Sequence, residues 1–344
     1  MTDVLQLITD TDGVRGAQVA AFELADALRA RGMSVHTAAL APGTSDHQLE
    51  IPVLSRRERR TAIRSARVVL AGGSSTLWAG ALETLGTGVG FVYRSIGDAS
   101  AWNPDALRRY AYRAAVRRAR AVVVLWPGAV GAMTSTFGVD RRRIEVIPQG
   151  APASRFPLVT ADARVDARER LGVGRETRVA LFLGALSEEK QVGVAIDAVE
   201  AMDDVELLVV GDGPQAASLR ARSGPRVRFL GAHADPRVAL AAADVVVLPS
   251  KTEGVPGVLV EAGLSGLPAV ASAVGGVPSV IEDGVTGVLV PAGDVASLRA
   301  GITRALSEPG LGLAARERCL AHFSLERLAE RWQVVLERAM TSTT

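Results

Sequence analysis

The chain has 344 residues, 48% hydrophobic and 22% charged, with a net charge of +2; that is enough for two domains and the profile of an ordinary soluble globular protein. One cysteine, Cys319, excludes an internal disulfide and a cysteine metal cage, and the four histidines show no His-x-x-x-His pair. No apolar run approaches the ~18–20 residues that span a bilayer, and the start MTDVLQLITDTDG is acidic where a signal peptide is basic, so a cytoplasmic location is expected.

Charge is divided unevenly. Residues 1–150 hold 19 Arg against 13 acidic residues, whereas residues 151–344 hold 20 basic against 24 acidic. A basic front half points to an anionic partner, either a phosphate-bearing acceptor or a membrane surface. Aromatic residues do not interleave with the arginines, which argues against nucleic acid.

In chain order, Val4–Ile8 reads as a strand, TDTDGVRGAQ as a glycine loop and Val19–Arg31 as a helix stopped by Gly32. Strands follow at Val35–Ala41, Val68–Ala71, Val89–Tyr93, Ala121–Leu125 and Arg143–Pro148. Two arginine clusters accompany them. Arg56, Arg57, Arg59, Arg60, Arg64 and Arg67 fall within twelve residues, and Arg109, Arg113, Arg117 and Arg120 are spaced to share a helical face.

Residues 151–178, with Pro152, Pro157 and LGVGRETR, read as a linker. Strand–helix alternation then resumes: Val179–Gly184, helix 190–202, Val205–Gly211, helix 214–222, Val227–Leu230, helix 235–243, Val245–Pro249, helix 257–264, Ala269–Ala271 and Gly287–Val290. This rhythm predicts an α/β protein of two doubly wound, Rossmann-like parallel-sheet domains facing a cleft. Their expected bounds are 1–152 and 153–324, with a terminal helix, 325–344, returning to the first domain.

Chemistry concentrates in a few places. The loop Asp12–Ala17 follows a strand and opens a helix, so its backbone amides suit an anion, although it does not fit G-x-G-x-x-G. Of the 39 basic residues only Lys190 and Lys251 are lysines. A compact ammonium on a flexible stem suits a diphosphate, and surface charge is the alternative for both. Glu253 lies beside a glycine-rich turn and Glu261 inside the next helix, a pair suited to a sugar and a ribose.

The succession GDGP (211–214), VRFLG (227–231), ADVVVLPS (243–250), TEGVPGVLVEAGLSGLPAVAS (252–272) and GGVPSVIEDGVTGVLVPAGD (275–294) resembles the donor-binding half of glycosyltransferase family 4, the retaining enzymes of GT-B fold. The likeness is dense over 179–300 and weaker through the first glycine loop, VIPQG (146–150) and FSLERLAERW (323–332). It implies a retaining hexosyltransferase that uses a nucleotide sugar of UDP or GDP type and an acceptor hydroxyl, with no cofactor. No Asp-x-Asp stands in the expected place, so no metal is expected.

By position, the resemblance puts Glu253 beside the transferred sugar and Glu261 on the ribose. It puts the amides of Gly254 and Val255 on sugar or phosphate, Lys190 on the diphosphate, Gly16 opposite it, and the base against Phe229–Gly231. Two departures stand out. Ala185 occupies a position where the family commonly has Arg, leaving Arg15 or Lys251 as substitutes, and no histidine follows the strand in FVYRSIGD. Arg94 and Asp98 are the polar candidates there, Asp98 being either a substrate contact or a helix cap. Membrane-facing transferases of this fold resemble the chain in using a basic N-terminal surface; an arginine-rich composition gives the same pattern without a partner. A nucleotide-sugar epimerase and a non-catalytic sugar-nucleotide binder remain as alternatives.

Overall fold

A computed structural model describes residues 2–12, 16–44, 48–97, 105–232 and 235–341. Asp98 and Arg15 lie outside them. The described chain divides into two compact units, one of residues up to 150 together with the segment from Leu325, the other of residues 151–324.

In the first unit the order is β1 (Thr2–Asp10), α1 (Gly16–Ala30), β2 (Val35–Ala41), α2 (Arg56–Ser65), β3 (Ala66–Gly72), α3 (Ser74–Glu83), β4 (Gly90–Ser95), α4 (Ala106–Val116), β5 (Ala121–Val124), α5 (Ala129–Ser135) and β6 (Ile144–Val146). The six strands form one parallel sheet ordered β2-β1-β3-β4-β5-β6. Their near-continuous apolar runs are what burial on both faces requires.

The second unit adds α6 (Ala161–Leu171), β7 (Arg178–Leu183), α7 (Val192–Glu200), β8 (Val205–Val210), α8 (Ala216–Arg222), β9 (Val227–Gly231), α9 (Pro236–Ala242), β10 (Val245–Leu248), α10 (Gly257–Leu264), β11 (Ala269–Ser272), α11 (Val277–Val280), β12 (Val288–Val290), α12 (Val295–Ser307) and α13 (Gly310–His322). Its parallel sheet runs β12-β11-β10-β7-β8-β9.

The last helix, α14 (Leu325–Thr341), belongs to the first unit, where Leu328, Trp332, Val335 and Leu336 are buried with Leu24 and Leu28 of α1 and Val68, Val92 and Val123 of the sheet. Its register is fixed at the far end: Arg120 donates to the Ala339 carbonyl at 2.5 Å, and a Cβ on Gly90 would stand 2.3 Å from that oxygen. Arg120 is therefore not on the α4 face that its spacing indicated. Helix α4 stops at Val116, with Arg117 as its C-cap, and Arg120 has turned inward as a staple.

The expected linker 151–178 is also corrected, because α6 occupies its middle. Thr160 caps the start by accepting from the Ala163 amide, and Gly172 ends it in the left-handed region at φ 61. Arg164 and Arg168 then reach carbonyls at the end of α9, Ala243 and Ala242, and both grip the Asp244 carboxylate. That carboxylate also accepts from the Val179 amide at 2.8 Å, so α6 is bolted to the start of β7. Helices α12 and α13, unassigned in the sequence reading, complete this unit.

Candidate functional site

Sheet order locates the site of the second unit. From β7 the chain winds outward through β8 and β9, and β10 then returns to the opposite side of β7. The neighbours β7 and β10 thus form the topological switch point, and ligands of open α/β sheets bind outside the carboxyl ends of the strands there. Lys190 follows β7, and Glu253 follows β10. Both loops that the sequence singled out therefore open at this point.

The two loops are joined by charge. Lys190 Nζ lies 2.5 Å from Glu253 Oε1, and the buried Ser250 hydroxyl donates to the same oxygen at 2.7 Å. A second bridge runs in parallel: the Lys251 amide donates to the Glu189 carbonyl at 2.7 Å, and Lys251 Nζ meets Glu188 Oε1 at 2.7 Å. The Lys251 bond holds the Glu188 carboxyl below its ordinary value. The Glu253 carboxylate is nearly buried, whereas a quarter of the Lys190 side chain faces solvent. A partly exposed cation against a buried acid can turn toward a ligand while the acid stays fixed. Lys251, half exposed and paired to an exposed glutamate, contributes little by its own bridge.

Glycines let the loops close. Gly275 adopts φ 52, and a Cβ there would stand 1.8 Å from the Glu253 carbonyl; one on Gly276 would stand 2.2 Å from the Gly254 carbonyl. The backbone of 253–254 thus lies directly on 275–276, a contact that only glycine permits. On the other flank Gly211, at φ 144, would place a Cβ 1.8 Å from the Gly184 carbonyl.

Helix α10 starts immediately after this turn. No side chain caps it, Val255 is buried, and Gly254 is half-buried. Glu261 sits one turn in, with its Oε1 3.6 Å from where a Gly257 Cβ would be, so its carboxylate lies along the positive end of the helix. From behind, α10 is held by α13: a Cβ on Gly263 would meet Cys319 Sγ at 2.4 Å.

Phe229 and Gly231 belong to β9, two strands from β7. The Gly231 carbonyl accepts from the Gly211 amide at 3.0 Å, which links this loop to the Gly184 turn. Phe229 is half-buried beneath the Arg220 guanidinium, 4.6 Å from its ring centre. Lys190, Glu253, Gly254 and Val255 are therefore contiguous, Glu261 is a turn away, and Phe229 and Gly231 connect through Gly211. Gly16 begins α1 in the first unit, exposed, with open space where a side chain would be. Asp98 lies outside the described residues.

Three features escaped the sequence reading. Ser250 was passed over although PSKTEG places it three residues before Glu253. Gln191, directly after Lys190, is the described non-glycine residue at positive φ (48). Its Oε1 is buried without a partner among the described residues. Strain of this kind gathers at functional turns, and here it turns the Glu188–Lys190 helical turn into α7. The third is the setting of Arg94 at the end of β4. It is buried, hydrogen-bonded to Gln149 and 5.7 Å from the Trp332 ring centre, and burial lowers its pKa to about 10, so it stays charged at neutral pH.

Comparison with known proteins bears on the family and the fold. The profile described as Glycosyl transferases group 1 matches residues 177–308, and that described as Glycosyltransferase Family 4 matches residues 14–155. The D-inositol 3-phosphate glycosyltransferase of Geodermatophilus obscurus is 34% identical over 220 residues, which are 56% of this chain and 47% of that protein. Its namesake from Mycobacterium tuberculosis is 34% identical over 174 residues, 47% of this chain and 35% of the relative. The chain thus matches about half the length, or less, of these curated relatives. Among solved structures, Anabaena Alr3699/HepE in complex with UDP superposes with a TM-score of 0.84 at 23% identity, covering 98% of this chain and 100% of that one. Sucrose-phosphate synthase from Thermosynechococcus elongatus does so with a TM-score of 0.82 at 21% identity, covering 100% of both chains. Two parallel six-stranded sheets of this topology, matched by profiles over both halves, place the chain in glycosyltransferase family 4, with the GT-B fold.

Proposed function

We propose that the chain moves a hexose-type sugar from a nucleoside diphosphate, of UDP or GDP type, to an acceptor hydroxyl with retention at the anomeric carbon. The observation that carries this reading is the Lys190–Glu253 pair at the β7/β10 switch point. Glu253, fixed by Ser250, accepts sugar hydroxyls. Lys190 swings to the diphosphate, and the amides at the start of α10 add positive potential where leaving-group charge develops. Glu261 accepts the ribose hydroxyls, and Phe229–Gly231 borders the base. Cations and amides of the protein supply the charge for departure, so the reaction proceeds without a metal ion. With no carboxylate assigned as nucleophile, the acceptor attacks the face that the diphosphate leaves, and a donor phosphate oxygen takes its proton.

The names of the neighbours support parts of this reading. HepE has been crystallised with UDP-glucose, which favours a UDP-sugar as the first donor to try. The inositol 3-phosphate enzymes name a phosphorylated acceptor, which fits an anionic or lipid-linked acceptor for the basic first unit.

The test is a panel of UDP- and GDP-sugars, with release of nucleoside diphosphate followed with and without acceptors and the anomer of the product read by NMR. An α-linked product from an α-donor is expected. Binding without release would mean a sugar-nucleotide binding protein, and a donor converted to its epimer would mean an epimerase.

A further inference from the structure

The second unit contains a cavity of about 410 Å3, lined by residues of that unit alone, among α6, the start of β7 and the junction of α12 with α13. A volume of this size suits a small organic ligand. The cavity lies at the other end of the sheet from Lys190 and Glu253. Those residues follow the carboxyl ends of β7 and β10, whereas Arg178 opens β7 and Asp244 directly precedes β10. The four residues of β10 put ~13 Å of strand between the two ends.

Four guanidiniums line it, those of Arg164, Arg168, Arg175 and Arg178, against two carboxylates, Asp244 and Glu176. Both Asp244 oxygens are engaged, one by Arg164 and the other by Arg168 and the Val179 amide. Arg168 spends Nε, Nη1 and Nη2 on two carbonyls and that carboxylate, so it serves the bolt that holds α6. Arg164 is used differently. Its bonds to Asp244 and to the Ala243 carbonyl both leave from Nη1. Its Nε and Nη2, the edge that grips an oxyanion side-on, have no partner among the described residues. Burial lowers the Arg164 pKa, Asp244 opposes this, and the like charge of Arg168 adds to the lowering. An anion at the open edge relieves both burial and repulsion. Arg175 and Arg178 are bridged to Glu169 and Asp204 in solvent, so turning them to a ligand costs little.

We infer that this cavity binds a small phosphate monoester, with Arg164, Arg175 and Arg178 meeting the phosphate and Leu306 and Pro309 the organic part. The last two residues give the lining its apolar surface at the α12–α13 junction. A phosphate brings three oxygens and nearly two charges, enough for the open edge of Arg164 and for two exposed arginines; a carboxylate brings two oxygens and one charge. Because α6 is fixed to Asp244 and to the carbonyls before it, Arg164 is held in place before a ligand arrives, which lowers the ordering cost of binding. The cavity shares no residue with the Lys190–Glu253 site, so its occupation requires neither donor nor turnover.

The test is isothermal titration of the whole chain, without nucleotide, using phenyl phosphate, inorganic phosphate and phenol at matched ionic strength. Phenyl phosphate should bind saturably, about threefold or more tighter than inorganic phosphate because its ring covers apolar surface, and phenol should not bind. Joint replacement Arg175→Ser and Arg178→Ser should weaken phenyl phosphate about tenfold or more with the melting temperature kept, since both side chains are exposed. If the joint variant melts early, the single change Arg178→Ser carries the test. Lys190→Met should bind phenyl phosphate as the unaltered protein does, which separates this cavity from the site proposed for the diphosphate. Three results overturn the inference: no saturable binding by the unaltered protein, undiminished binding by the serine variants, or binding that Lys190→Met removes. None of these bears on nucleotide-sugar turnover, which is measured separately.

Discussion

Lys190 Nζ and Glu253 Oε1 are 2.5 Å apart, and the Ser250 hydroxyl already occupies that same carboxylate oxygen. The pair is unequal, because the acid is nearly buried and its partner is more exposed. Glu253→Gln keeps an acceptor for both donors and releases Lys190 from its counter-charge. Nucleoside diphosphate affinity should therefore hold or rise while turnover drops. Lys190→Met leaves the buried carboxylate with only Ser250 among these partners. It should cost about 1–3 kcal/mol of stability as well as about tenfold or more in diphosphate affinity. Isothermal titration and chemical unfolding of the two variants check this, and equal losses of affinity would reject the division of roles.

Glu261 answers to a different part of the donor. Its carboxylate lies along the first turn of α10, beside Gly257. Glu261→Gln should weaken the bare nucleoside diphosphate and the complete donor alike. About tenfold or more is expected, the worth of one charged hydrogen bond. A variant that weakens the donor but not the diphosphate would move Glu261 to the sugar.

How far these residues could be read from the sequence depended on the kind of signal. The sheets were legible because strands such as Val205–Val210, apolar but for Glu206, and Val245–Leu248, apolar throughout, carry the mark of burial on both faces. Helix α6 was not, since ADARVDARERL has almost no apolar stripe and is held by Arg164 and Arg168 on Asp244. Its caps, Thr160 and Gly172, were the available signal. Glu253 and Lys190 could be found by their motifs, but their bond to each other could not, because 63 residues separate them. Gln191 carried no warning at all, for a left-handed glutamine is imposed by the fold around it.

Metal dependence separates two ways of handling the diphosphate charge. If Lys190 and the α10 amides supply it, a chelator should leave most of the turnover in place. Complete loss restored by magnesium or manganese would show that an ion stands in for the arginine absent at Ala185. Initial rates with EDTA, followed by add-back of each ion, decide between them.

The contact behind α10 gives a packing prediction. A methyl on Gly263 would stand 2.4 Å from Cys319 Sγ and 3.3 Å from the Ala315 carbonyl. Gly263→Ala should therefore cost about 1–3 kcal/mol. Because the sulfur is the nearer obstacle, adding Cys319→Ala should recover most of that loss. A double-mutant cycle by denaturant unfolding measures the coupling; strict additivity would mean that α10 and α13 adjust independently.

The same sulfur sets a pH dependence. Burial pushes the Cys319 thiol up to about 12, above its ordinary value of 9.0. The folded state thus prefers the protonated thiol, while the unfolded chain ionises earlier. The stability this group contributes is whole below pH 9.0 and is lost as pH climbs toward about 12. By the upper end of that window the loss reaches about 4 kcal/mol. Tyr93 and Tyr112, hydrogen-bonded to each other at 2.5 Å, are also shifted upward by burial and contribute to the alkaline loss. Their share is common to the unaltered protein and to Cys319→Ala, so it cancels in the difference. Cys319→Ala should be the less stable at pH 8, where it only loses packing, and the gap should close or reverse by about pH 11. A gap that stays constant across guanidinium unfolding curves would mean that the buried thiol does not control the alkaline limb.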